Sequence, residues 1–375
     1  MVNFSLGIIN VPVFSGVNVS SEDSDLTFDH DLNTTIETLF HEQEFLNHSK
    51  HMTLDDYLEK TGVQHRKPAI SDSFFGSFKE LEFDAACKRA IVIPFHVLPY
   101  LKNLEKLNVH SSDAARVIFD IDESEIKTKG MVSNLKKLTL NNLPNLKCVW
   151  KKNLGRIVSF PNLEEVVVNG CGSLVTLLSS SLAKSLEKLK TLHMAECENL
   201  VEIVGEEDER GQGMTLTFEF PCLTLLYLWN MRLLSSFYPG KHYLECPVLD
   251  TLWVAYCPKL KLFTSDFDDS DKDEVIKAPI TPLQQPLFLL EKVSPKLKQL
   301  SLNEKSFMLL RDGCLPHDLL CKLRNLLFCF EDYKNENDTL PFDFFHKLPC
   351  LEHLHLQNYF GLKEIFPSQK LQVHK

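Results

Sequence analysis

The sequence lacks the features that would direct it to a membrane or to nucleic acid. No run of 18 apolar residues occurs, so no segment is predicted to span a membrane as a helix. The first residues have no basic stretch, and Asn3, Asn10 and Pro12 interrupt their apolar run, so no secretory signal is predicted. Lys and Arg number 40 against 51 Asp and Glu, a net charge of −11, without a basic cluster. Duplex DNA and anionic membranes require clustered cations, so neither is an expected partner.

Paired cysteine spacing is also missing. The 11 cysteines are odd in number and are scattered through apolar contexts. A secreted disulfide framework needs an even, patterned set, whereas isolated apolar thiols are typical of a reducing compartment. The sequence therefore predicts a cytoplasmic protein.

Motifs that bind phosphate, hold zinc or activate serine are absent as well. The sequence contains no G-x-x-x-x-G-K-[ST], G-x-G-x-x-G, H-E-x-x-H, G-x-S-x-G or C-x-x-C. The nearest metal-like set is Cys314, His317, Cys321 and Cys329, whose spacing fits no standard zinc module. An acidic stretch at 266–274 lacks the Gly and Glu positions of an EF-hand loop. We expect no cofactor, no bound metal and no enzymatic activity.

The pattern that is present is a repeat of the form L-x-x-L-x-L-x-x-[C/L/N]. Ten copies share one frame, and their starts lie 26 to 48 residues apart. The clearest copies are LEEVVVNGC (163–171), LKTLHMAEC (189–197) and LDTLWVAYC (249–257). Alternation places the leucines on one side of a short strand and the other residues on the opposite side. Such repeats predict an α/β leucine-rich-repeat solenoid, a horseshoe with a parallel concave sheet and a mostly irregular or short-helical convex side.

The frame also predicts the domain boundaries. Residues 1–77 lack the repeat and are expected to form an irregular or degenerate-repeat segment, whereas 78–375 form the repeat domain. Acidic insertions near 206–214 and 265–276 lengthen two returns between strands. Helical spacing of leucines predicts a helical turn within Ser179–Lys190.

The ninth position of the frame carries a cysteine in the three clearest copies, namely Cys171, Cys197 and Cys257. A small side chain at this position closes the turn after the strand and lies buried against backbone groups. Buried thiols of this kind behave as small apolar groups. We expect these cysteines to be structural rather than redox-active or metal-binding.

Residues facing away from the core are the third, fifth and seventh of each copy. Neighbouring strands lie about 4.8 Å apart, so His193, Tyr227 and Trp253 should form a row on the concave sheet, with Trp229 beside it. Exposed aromatic area is favoured at protein interfaces. The alternative is that a return loop or an acidic insertion folds over this face and buries it, and the sequence leaves both open.

The repeats resemble those of a known family. The resemblance covers about residues 100–366 and rests on FPNLEEVVVNGCGSL, LEKLKTLHMAECENLVEIV, CPVLDTLWVAYCPKLKLF and LKKLTLNNLPNLKCVW. These segments are similar to the C-terminal leucine-rich repeats of plant intracellular nucleotide-binding immune receptors of the coiled-coil class. A strand that ends in Cys and is followed three residues later by Leu is typical of that family.

The resemblance implies a role in plant innate immunity. The expected partners are proteins, either pathogen effectors or the host proteins that effectors modify, together with a nucleotide-binding receptor domain. No phosphate loop is present, so we expect a truncated receptor that lacks the switch domain. A leucine-rich-repeat substrate adaptor of a ubiquitin ligase is the alternative, although residues 1–60 lack the short helical box of such adaptors.

Overall fold

The computed structural model describes residues 78–84, 90–93, 98, 101–120, 131–151, 158–206, 215–264, 285–289, 293–294, 296–303, 306, 320–333 and 348–359. The predicted N-terminal segment 1–77 lies outside these residues, and so do most of both acidic insertions. Their predicted boundaries and character stay predictions.

The secondary structure consists almost entirely of short strands. In chain order the described elements are β1 (Glu80–Phe83), β2 (Ile91–Ile93), β3 (Lys106–His110), β4 (Val117–Phe119), β5 (Met131–Val132), β6 (Lys137–Asn141), β7 (Cys148–Trp150), β8 (Val158–Ser159), β9 (Glu165–Asn169), β10 (Thr176–Ser179), α1 (Ser180–Lys184), β11 (Thr191–Ala195), β12 (Glu202–Gly205), β13 (Leu216–Glu219), β14 (Leu225–Trp229), β15 (His242–Glu245), β16 (Thr251–Ala255), β17 (Phe263–Thr264), β18 (Phe288–Leu289), β19 (Gln299–Asn303), β20 (Asn325–Tyr333) and β21 (His353–Tyr359).

One strand from each repeat joins the concave sheet. Its ten strands pair in parallel in the order β1-β3-β6-β9-β11-β14-β16-β19-β20-β21. Equivalent frame positions pair across strands, so Leu192 lies opposite Val166 on one side and Leu226 on the other. These frame residues are buried in one continuous apolar core. The predicted leucine-rich-repeat solenoid is therefore confirmed.

A left-handed residue ends most of the clearly framed strands, at the eighth position of the frame. The residues with positive φ at this position are Ser111, Asn142, Gly170, Glu196, Asn230 and Tyr256. Each of the first five donates its backbone N–H to the seventh-position carbonyl of the next repeat, as Gly170 does to Ala195 at 3.0 Å and Glu196 to Trp229 at 3.0 Å. The turn thus extends the sheet ladder by one bond and places the eighth side chain at the sheet edge.

The three frame cysteines lie in the core immediately after this turn. Each thiol donates to the carbonyl two residues earlier, at 3.6 Å for Cys171, 3.3 Å for Cys197 and 3.4 Å for Cys257. The hydrogen bond with Cys197, together with burial, raises the pKa of the Cys171 thiol. The cysteines of the described part of the chain are not linked by disulfides.

The convex side contains more strand than the frame suggested. The short strands pair in parallel as β2-β4-β7, β5-β8, β10-β12, β13-β15 and β17-β18. They bury apolar pairs such as Ile118 with Phe119 and Val149 with Trp150. Runs of two to four residues are too short to show a period in the sequence. The predicted helical turn is present as α1, where the Ser179 hydroxyl accepts from the Leu182 N–H at 3.4 Å.

Candidate functional site

The concave sheet presents three rows of side chains that face away from the core. The fifth-position row pairs in the order Asn108, Thr139, Val167, His193, Tyr227 and Trp253 across β3 to β16. The seventh-position row on the same strands consists of His110, Asn141, Asn169, Ala195, Trp229 and Ala255. Polar residues predominate at the N-terminal end of these rows and aromatic residues at the C-terminal end.

The aromatic strip consists of His193, Tyr227, Trp229 and Trp253. The ring centroids of His193 and Tyr227 lie 4.3 Å apart, and those of Tyr227 and Trp253 lie 6.1 Å apart with planes 16° from parallel. Trp229 stacks on Tyr227 at 6.5 Å and 20°. All four side chains are partly exposed. The structure brings these residues together as their spacing predicted, while their role in binding stays a prediction.

Tyr256 is a contact of the strip that the repeat frame did not reveal. It occupies the eighth position, where φ is +55°, and its ring packs edge-on against Trp229 at 4.7 Å. The frame predicts strand positions by alternation, whereas the direction of this side chain depends on the left-handed turn. The sequence signal for this contact is an aromatic residue directly after a strand.

Protonation states on the strip are shifted by burial. Burial lowers the pKa of His193, and the nearby Glu165 carboxylate opposes that shift. Burial raises the pKa of Tyr227 to about 12, with smaller contributions from Cys329 and Glu196. Both shifts favour the uncharged ring at neutral pH. The strip is therefore an apolar surface with polar ring atoms rather than a charged one.

Part of the concave face is buried within the chain. Ala255, Ser301, Leu327 and Cys329 are 0 to 3% exposed although alternation places them on this face. Trp229, Trp253 and Tyr256 pack against Ala255, Leu327 and Cys329 as a small second cluster. The Ser301 hydroxyl donates to the Val254 carbonyl at 3.0 Å.

Both alternatives that the sequence left open for this face, an exposed binding surface and a surface covered by a return loop or an acidic insertion, stay predictions. The small residues of the face are buried beside and beneath the rings, whereas the aromatic strip stays partly exposed. The acidic insertions proposed as a cover lie largely outside the described residues. The strip is therefore both a packing element and an accessible surface.

The Trp253 indole belongs both to the packed cluster and to the exposed surface. Its Nε1 atom is buried and has no hydrogen-bond partner, although the ring is partly exposed. A buried N–H without an acceptor costs about 1–3 kcal/mol.

The N-terminal part of the concave face carries charges that are already paired. Ion pairs join Glu80 to Lys106 at 3.0 Å, Glu82 to His110 at 2.8 Å and Glu165 to Lys137 at 3.0 Å. These charges are partly exposed, so each pair contributes little to stability. The Lys106 and Lys137 ammonium groups neutralise Glu80 and Glu165, so these two pairs leave little net charge to attract a partner.

A second series of charges lies at the sheet edge where the strands begin. From β3 to β11 the second frame position alternates in sign, and ion pairs join Glu105 to Lys136 and Glu164 to Lys190, each at 2.7 Å. The Lys136 hydrogen bond lowers the pKa of Glu105, and the Lys190 hydrogen bond lowers that of Glu164. Alternating sign at one frame position was a visible signal that the sequence analysis did not use.

The described residues contain no group of three or more His, Cys, Asp or Glu side chains placed to hold a metal ion. Cys314 and His317 of the metal-like set lie outside the residues with described structure. Within the described part of the chain, no helix is long and apolar enough to cross a membrane.

The match to a family model agrees with the repeat assignment. Residues 48–198 match the family model of the leucine-rich repeats of plant disease resistance proteins of the RPS2-like type, which confirms the resemblance drawn from the sequence. The chain is also similar to a crystal structure of an internalin, inlF of Listeria monocytogenes, at 11% identity and a TM-score of 0.22. That alignment covers 76% of this chain and 88% of the internalin chain.

Proposed function

We propose that this chain, part of which matches the repeats of plant disease resistance proteins, recognises another protein through the aromatic strip on its concave face. The observation that carries the proposal is the partly exposed, mutually stacked set of His193, Tyr227, Trp229 and Trp253. Aromatic pairs add only modestly to the stability of a sheet face exposed to water, whereas Tyr and Trp dominate the binding energy of protein interfaces. An open solenoid also presents a broad surface more readily than a closed catalytic pocket.

The rigidity of the strip supports the same function. Each ring is held by its neighbours and by a parallel strand register, so little side-chain entropy remains to be lost when a partner binds. Trp229 and Trp253 also pack against the buried Ala255, which further restricts their motion. The strip is thus preorganised for contact.

The proposal also includes a biological setting. We place the chain in the cytoplasm, where it senses a pathogen effector or a host protein that an effector has modified. Residues 78–375 form the repeat domain that carries the surface, and no catalytic step is assigned to it. The nucleotide-binding switch domain of the family is expected as a second partner.

The test is a pull-down from plant extract with the full chain as bait. The aromatic variant carries Tyr227→Ala, Trp229→Ala and Trp253→Ala. A matched control carries Asn108→Ala, Thr139→Ala and Val167→Ala, which lie in the same fifth-position row on β3, β6 and β9. Circular dichroism checks that both variants fold.

We expect proteins that bind the wild type and the control but are lost from the aromatic variant. Identical catches with all three baits contradict a binding role of the strip, and so does equal loss with the control. If the triple variant unfolds, Tyr227→Ala alone is compared with Thr139→Ala. Recovery of ubiquitin-ligase scaffold subunits by every bait would instead indicate the adaptor function.

A further inference from the structure

An unpaired carboxylate lies at the edge of the aromatic strip. Glu196 occupies the left-handed eighth position after β11, with φ of +54°, and its side chain is exposed. Its backbone N–H donates to the Trp229 carbonyl at 3.0 Å, which fixes Glu196 beside the strand that carries Tyr227 and Trp229. Ala195, which directly precedes Glu196, pairs with Trp229 in the sheet, so Glu196 follows a residue that lies beside that ring.

Glu196 differs from the other carboxylates of the concave face. Glu80, Glu82 and Glu165 each have a basic partner within 3.0 Å. Glu196 makes no ion pair with any described residue, and strands β11, β14 and β16 contain no Lys, Arg, Asp or Glu. Among the described residues, Glu196 is therefore a negative charge at the border of the aromatic strip that has no ion-pair partner.

Aromatic faces and a carboxylate together select a particular kind of side chain. A cation placed over Tyr or Trp is attracted by the negative ring face. A guanidinium can stack on a ring and also form two parallel hydrogen bonds with a carboxylate, which an ammonium group cannot do. Rings held next to an unpaired carboxylate complement an arginine better than any other residue.

Resting on the proposed function, we propose that the strip binds a polypeptide segment that presents an arginine, or less favourably a lysine, with apolar neighbours. The cationic side chain lies over the ring of Trp229, whose neighbour on β11 is the small Ala195, and pairs with Glu196. The apolar neighbours pack against Trp253 and His193. An acidic segment is disfavoured at this site because it would place like charges beside Glu196.

Selection of random peptides displayed on phage tests this specificity without a known partner. The full chain is the target, and the Tyr227→Ala, Trp229→Ala double variant removes peptides that bind elsewhere. If that variant unfolds, Tyr227→Leu with Trp229→Leu keeps apolar volume but removes the ring faces. The best peptides are then synthesised, each with an Arg→Gln counterpart, and titrated in solution.

The matched pair of variants for the titration is Glu196→Gln and Glu198→Gln, because both residues are exposed and lie two positions apart. We expect strip-dependent peptides to be enriched in arginine. Glu196→Gln should weaken binding about three- to tenfold, as expected for the loss of a partly desolvated ion pair while the cation–π contact is kept. Glu198→Gln should leave it within about twofold. The Arg→Gln peptide should bind the Glu196→Gln and Glu198→Gln variants with equal affinity.

Two results overturn this inference. Strip-dependent peptides without basic enrichment, or with equal responses to Glu196→Gln and Glu198→Gln, refute the arginine specificity and leave the proposed function intact. A selection that yields no strip-dependent peptide contradicts both the specificity and the binding role of the strip.

Discussion

Six repeats end their strand in a left-handed residue, and Gly170 is the only glycine among these six. The Gly170→Ala variant measures how much this glycine contributes to the stability of the protein. The φ of Gly170 is +64°, and an added Cβ would lie 2.7 Å from the Asn142 Oδ1 atom of the preceding repeat. A left-handed backbone costs an alanine roughly 1–2 kcal/mol. The contact adds to this cost unless the Asn142 side chain rotates away. We therefore expect Gly170→Ala to lower the free energy of unfolding by about 1–2 kcal/mol.

Gly172, two residues later, provides the control. A Cβ at Gly172 would meet no atom within 4 Å, and its φ is not in the left-handed region. Gly172→Ala should therefore be neutral or stabilise by up to about 1 kcal/mol, because it restricts the unfolded chain. Gly170→Asn should fall between the two, since Asn tolerates a left-handed backbone but still introduces the Cβ.

Urea unfolding followed by circular dichroism gives the comparison. The expected order of midpoints is Gly172→Ala highest, then Gly170→Asn, then Gly170→Ala, with similar slopes. Equal midpoints for the two alanine variants would refute the reasoning, because they would mean that the turn accepts a Cβ in this conformation without cost. The reverse order would indicate that the conformation at residue 170 differs from the one described.

Three further predictions follow from buried groups. His242 is 4% exposed, its Nδ1 donates to the Gly240 carbonyl at 2.9 Å, and burial lowers its pKa. Because its unfolded value is 6.5, the stabilisation from its neutral ring is complete above that pH and is lost as pH falls below it. His242→Phe should therefore lose less stability than the wild type between about pH 7 and 5; parallel pH profiles of the urea midpoint would contradict this. Trp253→Phe removes the unpartnered indole N–H and should change stability by less than about 1.5 kcal/mol, whereas Trp253→Ala should cost about 2–4 kcal/mol in urea unfolding; equal costs would show that the packing of the ring contributes nothing. In the native protein a thiol reagent, with mapping by mass spectrometry, should modify exposed Cys350 before buried Cys171 and Cys257; equal rates would show that the core opens readily.

The repeat frame predicted most of the fold because a period of two decides which face a strand residue occupies. It placed Leu192, Leu226 and Leu252 in the core and brought Tyr227 into one row with His193 and Trp253. Parallel pairing at equal register then required no further information.

The remaining features depend on geometry that the frame does not encode. Burial of Ser301 and Leu327 arises from contacts between side chains of strands that are not adjacent in sequence. The positions of Glu196 and Tyr256 depend on a left-handed turn whose direction no alternation predicts. Short convex strands such as β4 and β7 form because their neighbours in the stack supply hydrogen bonds, and a single repeat contains too few residues to show this.

The paired strands on the convex side have a consequence for evolution and for engineering. On the convex side, neighbouring repeats are separated by side chains such as Phe119 and Trp150, whose rings stack at 4.8 Å. Larger or smaller side chains on the convex side would change the angle between neighbouring repeats. The distance between side chains on the concave side would change with that angle. A lineage of such proteins can therefore retune the spacing of its inner surface through substitutions at the back of the arc, without altering any residue that a ligand contacts.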